Sequence, residues 1–186
     1  MAYKDEFLTG WGKGELLCGP GSLEKFSKPS REKLRHWIAV TKASPILEIG
    51  CGDLVWHGDE LPNVNYQGID LHERETWAKR RKEGAKLSVL DANSKDLPKA
   101  DLIVARDVFI HLSNDYILQI LEKLKEAGKW LFASHDPDAD KSRGGRKDLT
   151  FDKHGYGVNL NKDPFSLQYH EKQDPPRWRG MSLFKL

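Results

Sequence analysis

Residues able to do chemistry recur at one kind of place in this chain, just past short apolar runs. ILEI ends in Gly50-Cys51-Gly52-Asp53, and YQGI ends in Asp70-Leu71-His72. LSVL ends in Asp91-Ala92-Asn93, and DLIVA ends in Arg106-Asp107, with His111 five residues past Arg106. KWLFA ends in Ser134-His135-Asp136. Carboxylates accept hydrogen bonds from hydroxyls and amines, and histidine changes protonation near neutral pH. The two glycines need a reason of their own. Glycine weakens a strand, and it is tolerated where the backbone turns sharply or lets something approach closely.

The elements that must hold these residues alternate along the chain. Residues 30–42 carry apolar side chains at helical spacing (Leu34, Trp37, Ile38, Val40), with Ser30 placed to cap the start. Strands are predicted over 45–50, 66–71, 87–92, 101–107 and 129–135. Helices are predicted over 75–86 and 114–128, the second with Asn114 at its start and Gly128 at its end. Residues 165–173 and 180–186 read as an antiparallel hairpin, since no helical stretch separates them. The expected class is therefore α/β: a Rossmann-like, doubly wound sheet of about seven strands, mostly parallel, with an antiparallel C-terminal hairpin. The 186 residues are expected to form one domain. Within it, 1–29 is expected to serve as an N-terminal arm over the site, with a frayed tail as the alternative. Residues 136–163, which have no period, are expected to be a substrate loop or lid.

In an open parallel sheet, ligands bind at the carboxyl ends of the strands, near the point where strand order reverses. Asp70 lies 18 residues past Gly52. That is close to the spacing at which an acidic residue takes ribose hydroxyls in nucleotide-binding folds. The alternative for Asp70 is a solvated loop residue. Leu71 could press on an adenine face, Asp91 could accept from the adenine amino group, and the Ala92 N–H could donate to the ring. A helix cap is the alternative for Asp91. Val55 occupies the third position of the dinucleotide G-x-G-x-x-G pattern, and no G-x-x-x-x-G-K-[ST] loop exists in the chain. A diphosphate cofactor is thus poorly matched. A nucleoside carrying an amino-acid tail, S-adenosylmethionine, fits better.

Taken together, these stretches resemble a class I S-adenosylmethionine-dependent methyltransferase. Within that family the chain is similar to a small bacterial and viral subgroup in GPGS (19–22), EIGCGDLVW (48–56), YQGIDL (66–71), DLIVARDVFIHLS (101–113) and GVNLNKDPFSL (157–167). The resemblance implies that Glu48, Gly50 and Gly52, with Cys51 between them, line the methionine part of the donor. It implies Asp70 at the ribose, Asp91 and Ala92 at the adenine, and Arg106 and Asp107 beside the methyl donor. One departure stands out: Leu54 occupies the family's third glycine position.

On the acceptor side, Asp107 and His111 are the candidates to position or deprotonate a hydroxyl. The alternative for His111 is a structural histidine packed beside Ile110 and Leu112. His135 is a second candidate. Arg106 could bind an anionic group of the acceptor, or could pair with Asp107. Tyr156 and Asn159, in the predicted lid, are candidate acceptor contacts or loop-packing residues. The expected function is methyl transfer to a small molecule, on an oxygen of a sugar or of a phosphate-bearing metabolite.

Composition narrows the alternatives. Lys and Arg number 30 against 28 Asp and Glu, for a net charge of +2, which is no strong basic excess. The basic runs KRRKEGAK (79–86) and KSRGGRK (141–147) keep an RNA or DNA methyltransferase open as the second reading. A non-catalytic donor-binding subunit that activates a partner is the third. There is no apolar run of membrane-spanning length and no apolar signal core near the start, so a membrane role and export are not expected. Cys18 and Cys51 suit neither a disulfide framework nor a metal site, and a cytoplasmic location is expected. A chain without a cap insertion leaves an open site, which a second copy in a homodimer could complete.

Overall fold

Alternation along the central strands decides how the sheet is covered. In β1 (Ile46–Ile49), Ile46 joins one apolar core, while Leu47 and Ile49 join another. In β4 (Ala100–Ala105), Leu102 and Val104 share the core of Ile46, while Ile103 and Ala105 share that of Leu47. Successive side chains of a strand point to opposite faces, so both faces of the sheet are packed.

The computed structural model describes residues 20–58, 64–139, 157–171 and 180–186. Besides β1 and β4 it contains α1 (Glu24–Thr41), β2 (Tyr66–Asp70), α2 (Trp77–Lys82), β3 (Lys86–Val89), α3 (Asn114–Ala127), β5 (Gly128–His135), β6 (Gln168–Glu171) and β7 (Gly180–Lys185). The sheet order is β3-β2-β1-β4-β5-β7-β6. The first five strands in that order are parallel, and β7 runs antiparallel between β5 and β6. The expected class and the C-terminal antiparallel pair are thus observed. Chain order reverses between β1 and β4, so the crevice of such a sheet opens above their carboxyl ends. Helix α3 covers one face through Ile117, Ile120, Leu121 and Leu124. Leu34 and Trp37 of α1, with Trp77 of α2, cover the other.

Several boundaries differ from the sequence reading. Helix α1 begins at Glu24, with Leu23 in the cap position, and Pro29 lies inside it. The N–H groups of Phe26 and Ser27 already donate to the Leu23 carbonyl, so the first turn forms ahead of the proline. Val40 is exposed rather than part of the apolar face. The cap of α3 is Ser113, whose hydroxyl accepts from the Tyr116 N–H, rather than Asn114. Helix α2 is only the middle of the predicted basic helix. No helix of the described residues is long and apolar enough to cross a membrane.

Candidate functional site

The glycine loop leaves β1 in a conformation that side chains resist. Gly50 has φ 62° and Gly52 has φ 55°, both in the left-handed region. A Cβ on Gly50 would also sit 2.7 Å from Val108 Cγ2, so glycine is required there twice over. Leu54 keeps the same kind of backbone, φ 63°, at the position where the resembled family has its third glycine. Its side chain is fully buried, and core packing offsets the strain of a left-handed leucine. Cys51 also turns into the core, against Gly68, where a Cβ would lie 2.9 Å from its sulfur. A ligand in the crevice can therefore use the main chain of Cys51 but not its thiol.

Asp70, at the end of β2, closes this loop. Its Oδ2 accepts the Gly52 N–H at 2.8 Å and its Oδ1 accepts the His72 N–H at 3.3 Å. Arg74 Nη2 stands 3.5 Å from Oδ1. Two of the carboxylate's roughly four acceptor positions are thus taken by N–H groups, and the side chain is 13% exposed. The loop is also braced from α2, where the Trp77 Nε1–H donates to the Gly52 carbonyl at 2.7 Å. The Thr76 hydroxyl donates to the Asp53 carbonyl at 2.8 Å. Leu71 and Ala92 are part-exposed near these strand ends. Asp91 accepts the Tyr116 hydroxyl at 2.7 Å and the Asn93 N–H at 2.8 Å. Tyr116 of α3 thus sets the direction of the Asp91 carboxylate.

Glu48 requires a correction. It was expected to line the ligand, and it is buried beneath the loop at 1% exposure. Oε1 accepts Trp56 Nε1–H at 2.7 Å. Oε2 accepts the Tyr66 hydroxyl at 2.7 Å and lies 2.6 Å from His57 Nε2. Burial first, and the Glu48 charge second, push the Tyr66 phenol well above its usual range, so it stays a donor. Glu48 therefore anchors Trp56 and His57, the turn that follows the glycine loop, to β2.

At the end of β4, Asp107 is another left-handed residue, φ 55°, held by its N–H donating to Ser134 Oγ at 2.9 Å. Its carboxylate is 31% exposed. Arg106 pairs with it, Nη1 to Oδ2 at 3.3 Å, and lies over the Trp56 ring with Cζ 5.3 Å from the centroid. Arg106 Nη2 also donates to the Gly21 carbonyl at 2.6 Å. The expected anion-binding role is corrected accordingly, because this guanidinium is nine-tenths buried and already engaged by protein groups.

The remaining acceptor candidates are mostly claimed by packing. His111 lies in a short 3-10 turn, Phe109–His111, and is buried together with Ile110 and Leu112. His135 is 3% exposed, its Nε2 is 2.9 Å from the Tyr169 hydroxyl, and its ring meets Tyr169 and Phe184 edge-on. The expected acceptor contact is replaced by a place in an aromatic cluster. Asn159 donates from Nδ2 to the Pro137 carbonyl and accepts the Asn161 N–H, so it ties the exit of β5 to the segment before β6. It too is corrected, to a loop staple. Tyr156 lies outside the described residues, as do residues 1–19 of the expected arm and 140–156 of the expected lid. Sequence reasoning missed Trp56, His57, Tyr66, Trp77 and Tyr116. The one available signal was a large aromatic beside each polar loop.

No protein-family model matches the chain, and no curated protein sequence matches it. Solved structures do share its architecture. An O-methyltransferase family protein from Burkholderia thailandensis superposes with TM-score 0.62 at 12% identity, over 86% of this chain and 55% of that one. An S-adenosylmethionine-dependent methyltransferase from Clostridium acetobutylicum gives 0.62 at 14% identity, over 86% and 92%. The N-methyltransferase NodS from Bradyrhizobium japonicum, in complex with S-adenosylhomocysteine, gives 0.61 at 17%, over 86% and 87%. The chain thus spans little more than half of the first of these and most of the other two. Its fold is that of the class I S-adenosylmethionine-dependent methyltransferases.

Proposed function

We propose that the chain is an S-adenosylmethionine-dependent methyltransferase acting on a hydroxyl oxygen of a small molecule. The observation that carries the donor is the joint placement of Asp70 and the glycine loop. A part-exposed carboxylate is hydrogen-bonded to a left-handed glycine at the end of β2, beside the point where strand order reverses. The residues present fit the group. Asp70 would take the ribose hydroxyls, Gly50 and Gly52 would admit the amino-acid tail, and Leu71, Asp91 and Ala92 would hold the adenine. The donor supplies a methyl group already activated by the positive sulfonium. The protein's work is then orientation and exclusion of water. Glu48, Trp77 and Thr76 hold the loop rigid from below and beside. Asp107 keeps part of its carboxylate exposed at the end of β4, where it can accept a hydrogen bond from an acceptor hydroxyl and aim its oxygen.

Two observations favour a small hydroxyl acceptor over other substrates. Arg106 is committed to Asp107, Gly21 and Trp56, which removes the anchor that a phosphate-bearing acceptor would have used. The basic helix α2 turns Arg80 to Glu83 and the Gly58 carbonyl, and Arg81 to Glu73 and the Leu87 carbonyl. Arg80 and Arg81 are thus engaged by protein groups, while the run 141–147 lies outside the described residues. The test is incubation with methyl-labelled donor and cell extract separated into metabolite, RNA, DNA and protein fractions. Label in the metabolite fraction, on an alkali-stable ether, supports the proposal. Label confined to RNA or DNA would replace it with the nucleic-acid reading. Donor binding without transfer to any fraction would favour a donor-binding subunit.

A further inference from the structure

One guanidinium connects three parts of the chain that are distant in sequence. Arg106, at the end of β4, donates to the Gly21 carbonyl in the turn Pro20–Ser22, 85 residues away. It pairs with Asp107, and it stacks on Trp56, which Glu48 fixes beneath the glycine loop. The turn sits close against this pair: a Cβ on Gly21 would be 3.5 Å from Asp107 Oδ2 and 3.7 Å from Arg106 Nη2. Pro20–Ser22 therefore stands at the carboxyl ends of β1 and β4, where the crevice opens. Hydrogen bonds from a buried cation are among the stronger ones a fold can make, and a stacked, planar guanidinium has little freedom to reach elsewhere. Ser22 is buried, and α1 starts two residues further on, so the turn is tied to the fold at its C-terminal end.

Resting on the donor site proposed above, we propose that Arg106 is a positioning residue that latches the Pro20–Ser22 turn across the mouth of that site. The latch keeps the turn and the Asp107 carboxylate in register with the glycine loop. It sets how fast the donor product leaves, not which protein groups hold it. Releasing it should open the mouth while leaving Asp70, Asp91 and the glycine loop in place.

The experiment uses the full chain, with S-adenosylhomocysteine as the probe, and compares wild type with Arg106→Met. Hydrogen exchange on the ligand-free proteins reads the turn through the peptide covering residues 20–27. Stopped-flow displacement reads the dissociation rate of the probe. Loss of one charged hydrogen bond predicts exchange about tenfold to a hundredfold faster over 20–27. Probe dissociation should be accelerated to a similar degree, with the thermal midpoint moving far less than for a core substitution. Unchanged exchange over 20–27 would overturn the latch. Faster exchange with unchanged dissociation would overturn its link to the site. If Arg106→Met does not fold, Arg106→Lys keeps the charge and is read in the same way. It should show a smaller shift in the same direction, and no shift would overturn the proposal. If wild type binds no probe at all, the donor proposal fails by itself, and the exchange result still decides whether Arg106 holds the turn.

Discussion

The two halves of the crevice are built differently. Around β1 and β2, a buried layer beneath the loop does the structural work, and Asp70 at the strand end keeps a 13% exposed carboxylate. Glu48, Trp56, His57 and Tyr66 hold the loop from below. Around β4 and β5 there is no such separation. Arg106, His111, His135 and Asn159 are themselves the structural layer, and Asp107 alone of the described acceptor candidates there keeps substantial exposure. A polar residue at a strand end is thus a ligand candidate only when something else satisfies the fold around it.

The comparison breaks first at Glu48. Glu48→Ala leaves the donors of Trp56, His57 and Tyr66 buried without their acceptor. It should cost about 3–5 kcal/mol in urea denaturation. A loss below 1 kcal/mol would show that the donor half has no buried layer of this kind.

Gly50→Ala comes next. A left-handed alanine costs about 1–2 kcal/mol, and the contact with Val108 adds to it. The Val108→Ala change in the Gly50→Ala background should recover the contact part only, which a double-mutant cycle resolves. Full recovery would mean that backbone conformation is not what demands glycine.

Asn159→Ala sharpens the contrast from the other half. It should cost about 1–2 kcal/mol through its two lost hydrogen bonds and leave S-adenosylhomocysteine affinity unchanged. Weakened binding with intact stability would return Asn159 to the site. The smallest effect is expected for Tyr116→Phe, about 1 kcal/mol. A modest loss of affinity should accompany it, because Asp91 loses the hydroxyl that directs it.

How much was legible follows from which physics each feature obeys. Strand order and polarity came from short apolar runs alternating with helical periodicity, and β1, β2, β4 and β5 fall where those runs lie. The sharp turns at Gly50 and Gly52 and the place of Asp70 at a strand end were readable because local backbone conformation and spacing along the chain specify them. Helix starts were less so. Ser30 reads as the cap of the first helix, yet the hydrogen bonds of the first turn form ahead of it, before Pro29. Glu48 was misread because its burial depends on Trp56, His57 and Tyr66 arriving from two other segments, and no local pattern carries that. His135 likewise meets Tyr169 and Phe184 only through the antiparallel insertion of β7 beside β5. Long-range contacts of this kind decide whether a polar side chain is free or spent.

The most direct measurement is calorimetric titration of S-adenosylhomocysteine into wild type and Asp70→Ala, with a thermal melt of each to confirm folding. Saturable binding by wild type is predicted. Asp70→Ala should be weaker by about a hundredfold, corresponding to two lost charged hydrogen bonds. Equal affinity of a folded Asp70→Ala would contradict the placement of the donor at the end of β2.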